Sequence, residues 1–236
     1  MTKPIVPSPK TLAKTIGLCI QNADRLIEDA QMLEFEKPKS TRLYLILIAQ
    51  EELAKAFMLI LVSMGVFPLS RPILRAMNDH TCKQLVGMLM EYMIAHWDDL
   101  AALDKMIEED LDMGEDHFPI DIASALDLLR YEKVARWETG NGVYVGDFNS
   151  SRAAKEVANG ARDRRKQDAL YVRVNPDGSA KSTPHIVTDE EVTKEAERAS
   201  HYSYFVENMA DGKASGHRYD KTMAALRLIF GRHPPL

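Results

Sequence analysis

Apolar residues return every three or four positions over much of the chain, the spacing that lays one continuous stripe along a helix. Leu12, Ile16, Cys19, Ile20, Ala23, Leu26, Ile27, Ala30 and Leu33 carry the first stripe, with Asn22, Asp24, Arg25, Glu28 and Asp29 interleaved. They predict a long amphipathic helix. It should stop near Lys37, because Pro38 disfavours a helical residue before it, and Ser40 and Thr41 then offer capping oxygens to the next helix. That second helix is expected over residues 41–64, closed by Gly65.

Pro68 and Pro72 bracket a short connection, and Asn78 or Asp79 can cap a third helix carrying Leu85, Val86, Met88, Leu89, Tyr92, Met93, Ala95, Leu100 and Leu103. Met113, Gly114 and Pro119 break it, and Ile122, Ala123, Ala125, Leu126, Leu128 and Leu129 mark a fourth that runs to about Trp137. The pattern lapses over residues 139–151, where Gly140, Gly142, Gly146 and the Asn149-Ser150-Ser151 cluster flank Val143-Tyr144-Val145. A further helix follows over 152–168, then a short extended stretch over 170–174 and a strong turn at Asn175-Pro176-Asp177-Gly178. Thr188-Asp189-Glu190-Glu191 has the form of a capping box opening a helix to about Met209, and a last apolar run occupies 223–230. The expected fold class is all-α: a bundle of four core helices with additional C-terminal helices and a short β-hairpin-like insertion. Residues 1–10 read as a flexible N-terminus and 11–236 as one helical domain. Its core is placed at about 11–138, a loop at 139–151 and a C-terminal helical part at 152–236.

Composition narrows the function classes. Thirty Lys and Arg against 35 Asp and Glu leave a formal charge of −5, so the chain as a whole does not attract nucleic acid or an anionic membrane, and any RNA binding needs a local basic patch. Its two cysteines, Cys19 and Cys82, form no C-x-x-C or metal-type cluster, which fits a reducing cytoplasm. Residues 1–10 hold three prolines and no apolar stretch of the kind a secretory signal requires. The most apolar segment, 43–66, is interrupted by Gln50, Glu51, Glu52 and Lys55, and it reads as a buried helix rather than a membrane span.

That interruption is the most informative local feature. On a helix, Glu52 shares a face with Leu45, Ile48, Ala49, Ala56 and Leu59, and Glu51 shares one with Leu47, Ile48, Ala54 and Met58. Both faces are apolar, so at least one carboxylate is drawn inward, where an unpaired charge demands a cationic partner. Two readings stay open: a functional polar cluster, or a solvent-facing Glu51 to Lys55 pair at i,i+4.

The succession Asn22-Ala23, Leu26, Asp29-Ala30, Leu33, then Leu45, Ala49 and Glu51-Glu52-Leu53-Ala54-Lys55-Ala56 resembles the first two helices of AbiV-type HEPN proteins. His80-Thr81-Cys82-Lys83 is similar to that family's H-x-x-K segment, and Lys166 through Leu170-Tyr171-Val172 to its basic run into L-Y-V. Pro184-His185-Ile186-Val187, followed by Asp189-Glu190-Glu191, is similar to its final helix entrance. The likeness covers most of residues 12–210. It implies an all-α HEPN bundle, usually a homodimer, with a role in abortive infection, the arrest of an infected bacterium before phage can mature. Many HEPN proteins are metal-independent ribonucleases whose R-x(4–6)-H motif supplies an Arg for the phosphate and a His for proton transfer, the two motifs commonly meeting across a dimer interface.

Two stretches fit that motif, Arg75 to His80 and Arg227 to His233. The first is the better candidate, since it lies at a helix entrance beside the H-x-x-K segment, where the helix N-terminus adds partial positive charge for a phosphate. The second straddles Gly231 and ends in Pro234-Pro235. A polar first-turn residue is the plain alternative for His80. Arg162, Arg164, Arg165 and Lys166, with Tyr171 and Arg173 after them, can grip an RNA backbone and stack on a base, or can form a solvated helix face. The resemblance further implies that Lys166 and Tyr171 reach back to Glu51, Glu52 and Lys55.

Other chemistries are disfavoured. No Glu has a His three residues later, as a di-iron bundle needs, and no Gly-rich phosphate loop occurs, so no metal or other cofactor is expected. The candidate catalytic set is His80, Arg75 and Glu52. Around it stand Glu51, Lys55, Lys83, Arg165, Lys166 and Tyr171 as RNA-binding residues or polar centre. The expected partners are a second copy of the chain, RNA, and a phage or host protein, with neither DNA nor membrane. The rival reading is a non-catalytic bundle that binds a phage or host protein to arrest translation, and its polar centre would only fix helix register.

Overall fold

A computed structural model describes residues 7–95 and 156–212. Helix α1 spans Pro9–Met32, α2 Ser40–Ser63, α3 Arg71–Asn78 and α4 His80–Ala95. After the second described stretch begins, α5 spans Ala161–Leu170, the strands β1 and β2 are Arg173–Val174 and Ala180–Ser182, a 3-10 turn covers Pro184–Ile186, and α6 spans Asp189–Ala210. The fold is all-α, with one two-stranded hairpin among the described residues.

Four of the six described α-helices open on a side-chain cap, whereas α2 and α5 follow Lys39 and Gly160 without one, so the expected Ser40 or Thr41 cap does not form. Ser8 accepts from the Thr11 backbone N–H at 3.1 Å with Pro9 in the first turn, Ser70 accepts from Ile73, Asp79 accepts from Cys82 at 2.8 Å, and Thr188 accepts from Glu191 at 3.2 Å. Leu12, Ile16, Cys19, Ala23, Leu26 and Ala30 line the buried face of α1 at alternating spacings of three and four. Helix α2 is the central element, packed against α1, α4, α5 and α6 and buried on nearly every side from Leu53 to Val62. Its Phe57 meets Phe205 of α6 with ring centroids 5.5 Å apart and planes tilted by 47°. Beside them the buried Tyr202 hydroxyl donates to the Gly87 carbonyl at 2.7 Å, and a Cβ at Gly87 would stand 3.0 Å from that oxygen, so α4 and α6 approach this closely only because position 87 lacks a side chain.

Several boundaries differ from the periodicity. Helix α1 ends at Met32, not near Lys37: Met32 and Phe35 are exposed, so nothing apolar sustains a further turn. The Pro68 to Pro72 connection ends in the start of a further helix, α3, which Ser70 caps and which accommodates Pro72 in its first turn. The helix expected over 152–168 is interrupted at Asn159 and Gly160, the latter at φ 76°, before α5 resumes. Leu170 stays in α5, so the extended stretch shortens to β1, which pairs with β2 through the Asn175–Gly178 turn. Among the described residues α1, α2, α4 and α6 build the main core, so α6 is a core helix rather than an addition to it. The third helix beyond residue 95, the fourth at 122–137, the loop at 139–151, the run at 223–230 and the Arg227 to His233 pair lie outside the described residues. No described helix is long and apolar enough to cross a membrane.

Candidate functional site

Successive residues of a helix point about 100° apart, and α2 uses this to give Gln50, Glu51 and Glu52 three different sets of partners. Glu51 turns inward and is 3% exposed. One carboxylate oxygen, Oε2, lies 2.6 Å from His80 Nδ1 and accepts from Lys83 Nζ at 2.9 Å, both from the first turn of α4. The other, Oε1, accepts from Lys166 Nζ of α5 at 2.9 Å and from Gln84 Nε2 at 3.3 Å. Lys166 Nζ also lies 3.0 Å from Asp163 Oδ1 and 2.9 Å from His80 Nδ1. Three helices therefore meet at one carboxylate.

The electrostatics explain why a carboxylate survives there. Burial alone would raise the Glu51 carboxyl, but the Lys83 charge and the hydrogen bonds from Lys83, His80 and Lys166 outweigh it and hold the group below its ordinary value. Glu51 and Asp163 together balance Lys83 and Lys166. Lys83 and Lys166 are themselves buried, whereas the His80 side chain is 49% exposed. The imidazole is thus the most exposed part of this cluster, with its Nδ1 edge turned to the buried pair.

Next to it on α2, Gln50 faces α6. Its Nε2 donates to the Glu195 backbone carbonyl and to Glu195 Oε2, each at 2.9 Å, and Arg198 binds both Glu195 and Glu91. Burial would raise the Glu195 carboxyl, yet the hydrogen bonds and charges of Arg198, with Gln50 and Arg162, bring it below its ordinary value. The Arg198 guanidinium is held above its own, the two glutamates overcoming its burial. Burial, with Glu91 nearby, pushes the Tyr202 hydroxyl upward.

Other residues singled out from the sequence stand apart from Glu51. Glu52 pairs with Lys55 at 2.5 Å on the side of α2 that faces Cys19, whose thiol is raised by burial first and Glu52 second. This rules out the Glu51 to Lys55 pair, one of the two readings left open, and removes Glu52 and Lys55 from one centre with Glu51. Arg165 points to Glu191 of α6, with Nε 2.6 Å from Oε1, and that hydrogen bond raises its guanidinium. Tyr171 caps the end of α5 at 61% exposure and does not reach back to Glu51. Arg75 lies exposed in the last turn of α3, makes no side-chain hydrogen bond or ion pair among the described residues, and lines a shallow depression of about 440 Å³ with Leu74, Asn78 and Asp79, the residue before His80.

Sequence reasoning missed Gln84 and Asp163. The signal was present: Gln84 follows His80 by four positions and Lys83 by one, and Asp163 precedes Lys166 by three, so each shares a helix face with a residue already singled out. It also missed Gln50, Glu195 and Arg198 as a second centre. A family model described as AbiV, of the HEPN group, matches residues 11–203, which include every residue of both centres. No curated protein and no solved structure matches the chain.

Proposed function

The chain belongs to the AbiV family of HEPN proteins, and from that premise we propose that it is a phage-defence effector that acts on RNA as a metal-independent endoribonuclease. The observation that carries this reading is the half-exposed His80 ring backed by the buried Glu51 carboxylate, with Arg75 on the helix immediately before it. His80 Nε2 accepts the proton of a ribose 2′-OH, and the 2′-oxygen attacks the adjacent phosphorus. The bond to the 5′-oxygen of the next nucleotide breaks, that oxygen takes up a proton from water, and a 2′,3′-cyclic phosphate remains, His80 returning its proton to solvent. Arg75 neutralises the phosphate from the open depression. Lys83 and Lys166 are tied to Glu51 and serve as its counter-charges rather than as phosphate ligands. The protein works as a homodimer in the cytoplasm, and its partner in the reaction is RNA.

A second reading draws on a different observation. Tyr171, Val172, Val174 and Ile186 are all more than half exposed around the hairpin, a surface that suits a phage or host protein as the ligand of a non-catalytic bundle.

Total cellular RNA incubated in EDTA with wild-type protein and with His80→Ala, both checked for folding by circular dichroism, separates the two. Cleavage by wild type and its loss in His80→Ala is the expected result. Intact RNA with a folded wild-type protein that still arrests infected cells would overturn the ribonuclease reading and leave the binding protein.

A further inference from the structure

His80 Nδ1 stands between two groups that ask opposite things of it. Glu51 Oε2, at 2.6 Å, has only lone pairs to offer and needs a proton on the nitrogen; Lys166 Nζ, at 2.9 Å, has only protons to offer and needs a lone pair. One ring nitrogen cannot satisfy both. In a neutral imidazole the choice decides what the other nitrogen carries, since a proton on Nδ1 leaves the lone pair on Nε2, and the reverse.

The distances favour the carboxylate. Without a proton between them, Nδ1 and Oε2 would press two lone pairs together at 2.6 Å, whereas a shared proton makes that separation a short charge-assisted hydrogen bond. Lys166 loses little by yielding, because two of its three N–H groups already have carboxylate acceptors, Glu51 Oε1 at 2.9 Å and Asp163 Oδ1 at 3.0 Å. Oε2 keeps Lys83 as its second donor, and Gln84 completes Oε1.

We propose that Glu51 is a positioning residue that locks His80 in the Nδ1–H tautomer and so places the lone pair on Nε2, while Lys166 is the competitor that would reverse the tautomer if Glu51 lost its charge. The proposal rests on the reading of His80 as the proton-transfer residue, and it says which of its atoms does the work. Nε2 has no protein partner among the described residues, so it is the ring atom left for a substrate. Lys166 then has a role beyond charge balance: neutralising Glu51 would turn the ring's outward nitrogen from an acceptor into a donor without moving the ring.

The test reads the tautomer directly and needs no RNA. The full-length protein is labelled with 15N-histidine, the His80 resonances are identified by their loss in His80→Gln, and spectra are taken about two pH units above the ordinary imidazole pKa of about 6.5. Wild type should place the proton-bearing, upfield nitrogen at Nδ1. Lys166→Met should keep it there, and Glu51→Gln should move it to Nε2. Nε2–H in wild type would overturn the proposal, as would Nδ1–H retained in Glu51→Gln. Should Glu51→Gln not fold, wild type and Lys166→Met still decide: an Nε2–H form in either is the overturning result. A protein with the Nδ1–H tautomer that leaves RNA intact keeps the assignment and loses the ribonuclease, so the two failures are distinct.

Discussion

Two carboxylates are held at α2, the buried Glu51 and the half-buried Glu195. Glu51, on α2 itself, and Glu195 of α6, which Gln50 of α2 grips, both lie below their ordinary pKa because cations and donors outweigh burial. Their surroundings differ in one respect. Glu195 is answered by an arginine and an amide that do nothing but join α2, α4 and α6, whereas Glu51 is answered on one side by a half-exposed imidazole. Shifts in the same direction thus accompany a brace in one place and a candidate reactive group in the other. The direction of the pKa shift is the same in both, and a solvent-reached imidazole on the carboxylate separates them.

The comparison breaks most forcefully at Glu51. Glu51→Ala leaves Lys83 and Lys166 buried with their shared acceptor gone, Lys166 retaining Asp163 and the His80 ring nitrogen. Removing one partner from a buried ion pair costs about 3–5 kcal/mol, and urea denaturation should show a loss of that order together with loss of any RNA cleavage. A loss below about 1 kcal/mol would mean that the lysines relax freely to water, and the centre would not be an organised one.

A smaller effect is expected at the brace. Arg198→Ala removes the link between Glu195 and Glu91 but leaves Gln50 donating to Glu195 and lets the more exposed Glu91 turn to water. Hydrogen bonds to charged groups contribute about 1.5–3 kcal/mol each in such settings, so denaturation should report a loss in that range, with the His80 chemistry retained in the protein that remains folded. Loss of activity at unchanged stability would show that the two centres are coupled, and the division into brace and site would fail.

How much of this was readable beforehand follows the physics of each element. The buried stripe of α1, the caps Asp79 and Thr188, and the Asn175–Gly178 turn are local matters, decided by residues within a few positions of one another, and the sequence carries them. Lys166 meeting Glu51 was also within reach, through family resemblance. Which of Glu51 and Glu52 faces the interior was not. Helix α2 is so widely buried that both its glutamate faces are apolar, and periodicity has no polar side against which to orient them. The partners of Arg165 were hidden for another reason: a basic run on α5 distributes its members by helix phase among Glu191, Glu51 and solvent, and phase depends on where Gly160 breaks the helix.

The pair Glu52 and Lys55 supplies the finest test of the contrast. It sits one position from Glu51 on the same helix, and its side chains are 16% and 25% exposed against 4% for Glu51. Each member can reach water by a rotamer change, so the Coulomb gain is screened and offset by the entropy of holding two long side chains together. Lys55→Ala also replaces one good helix former with another. The expected loss is therefore under about 1 kcal/mol, with the His80 tautomer and any RNA cleavage unchanged. A loss equal to that of Arg198→Ala would mean that Glu52 and Lys55 are held as firmly as the half-buried Glu195 brace. Exposure would then cease to separate adjacent glutamates, and the distinction drawn between Glu51 and Glu195 would have to rest on the imidazole alone.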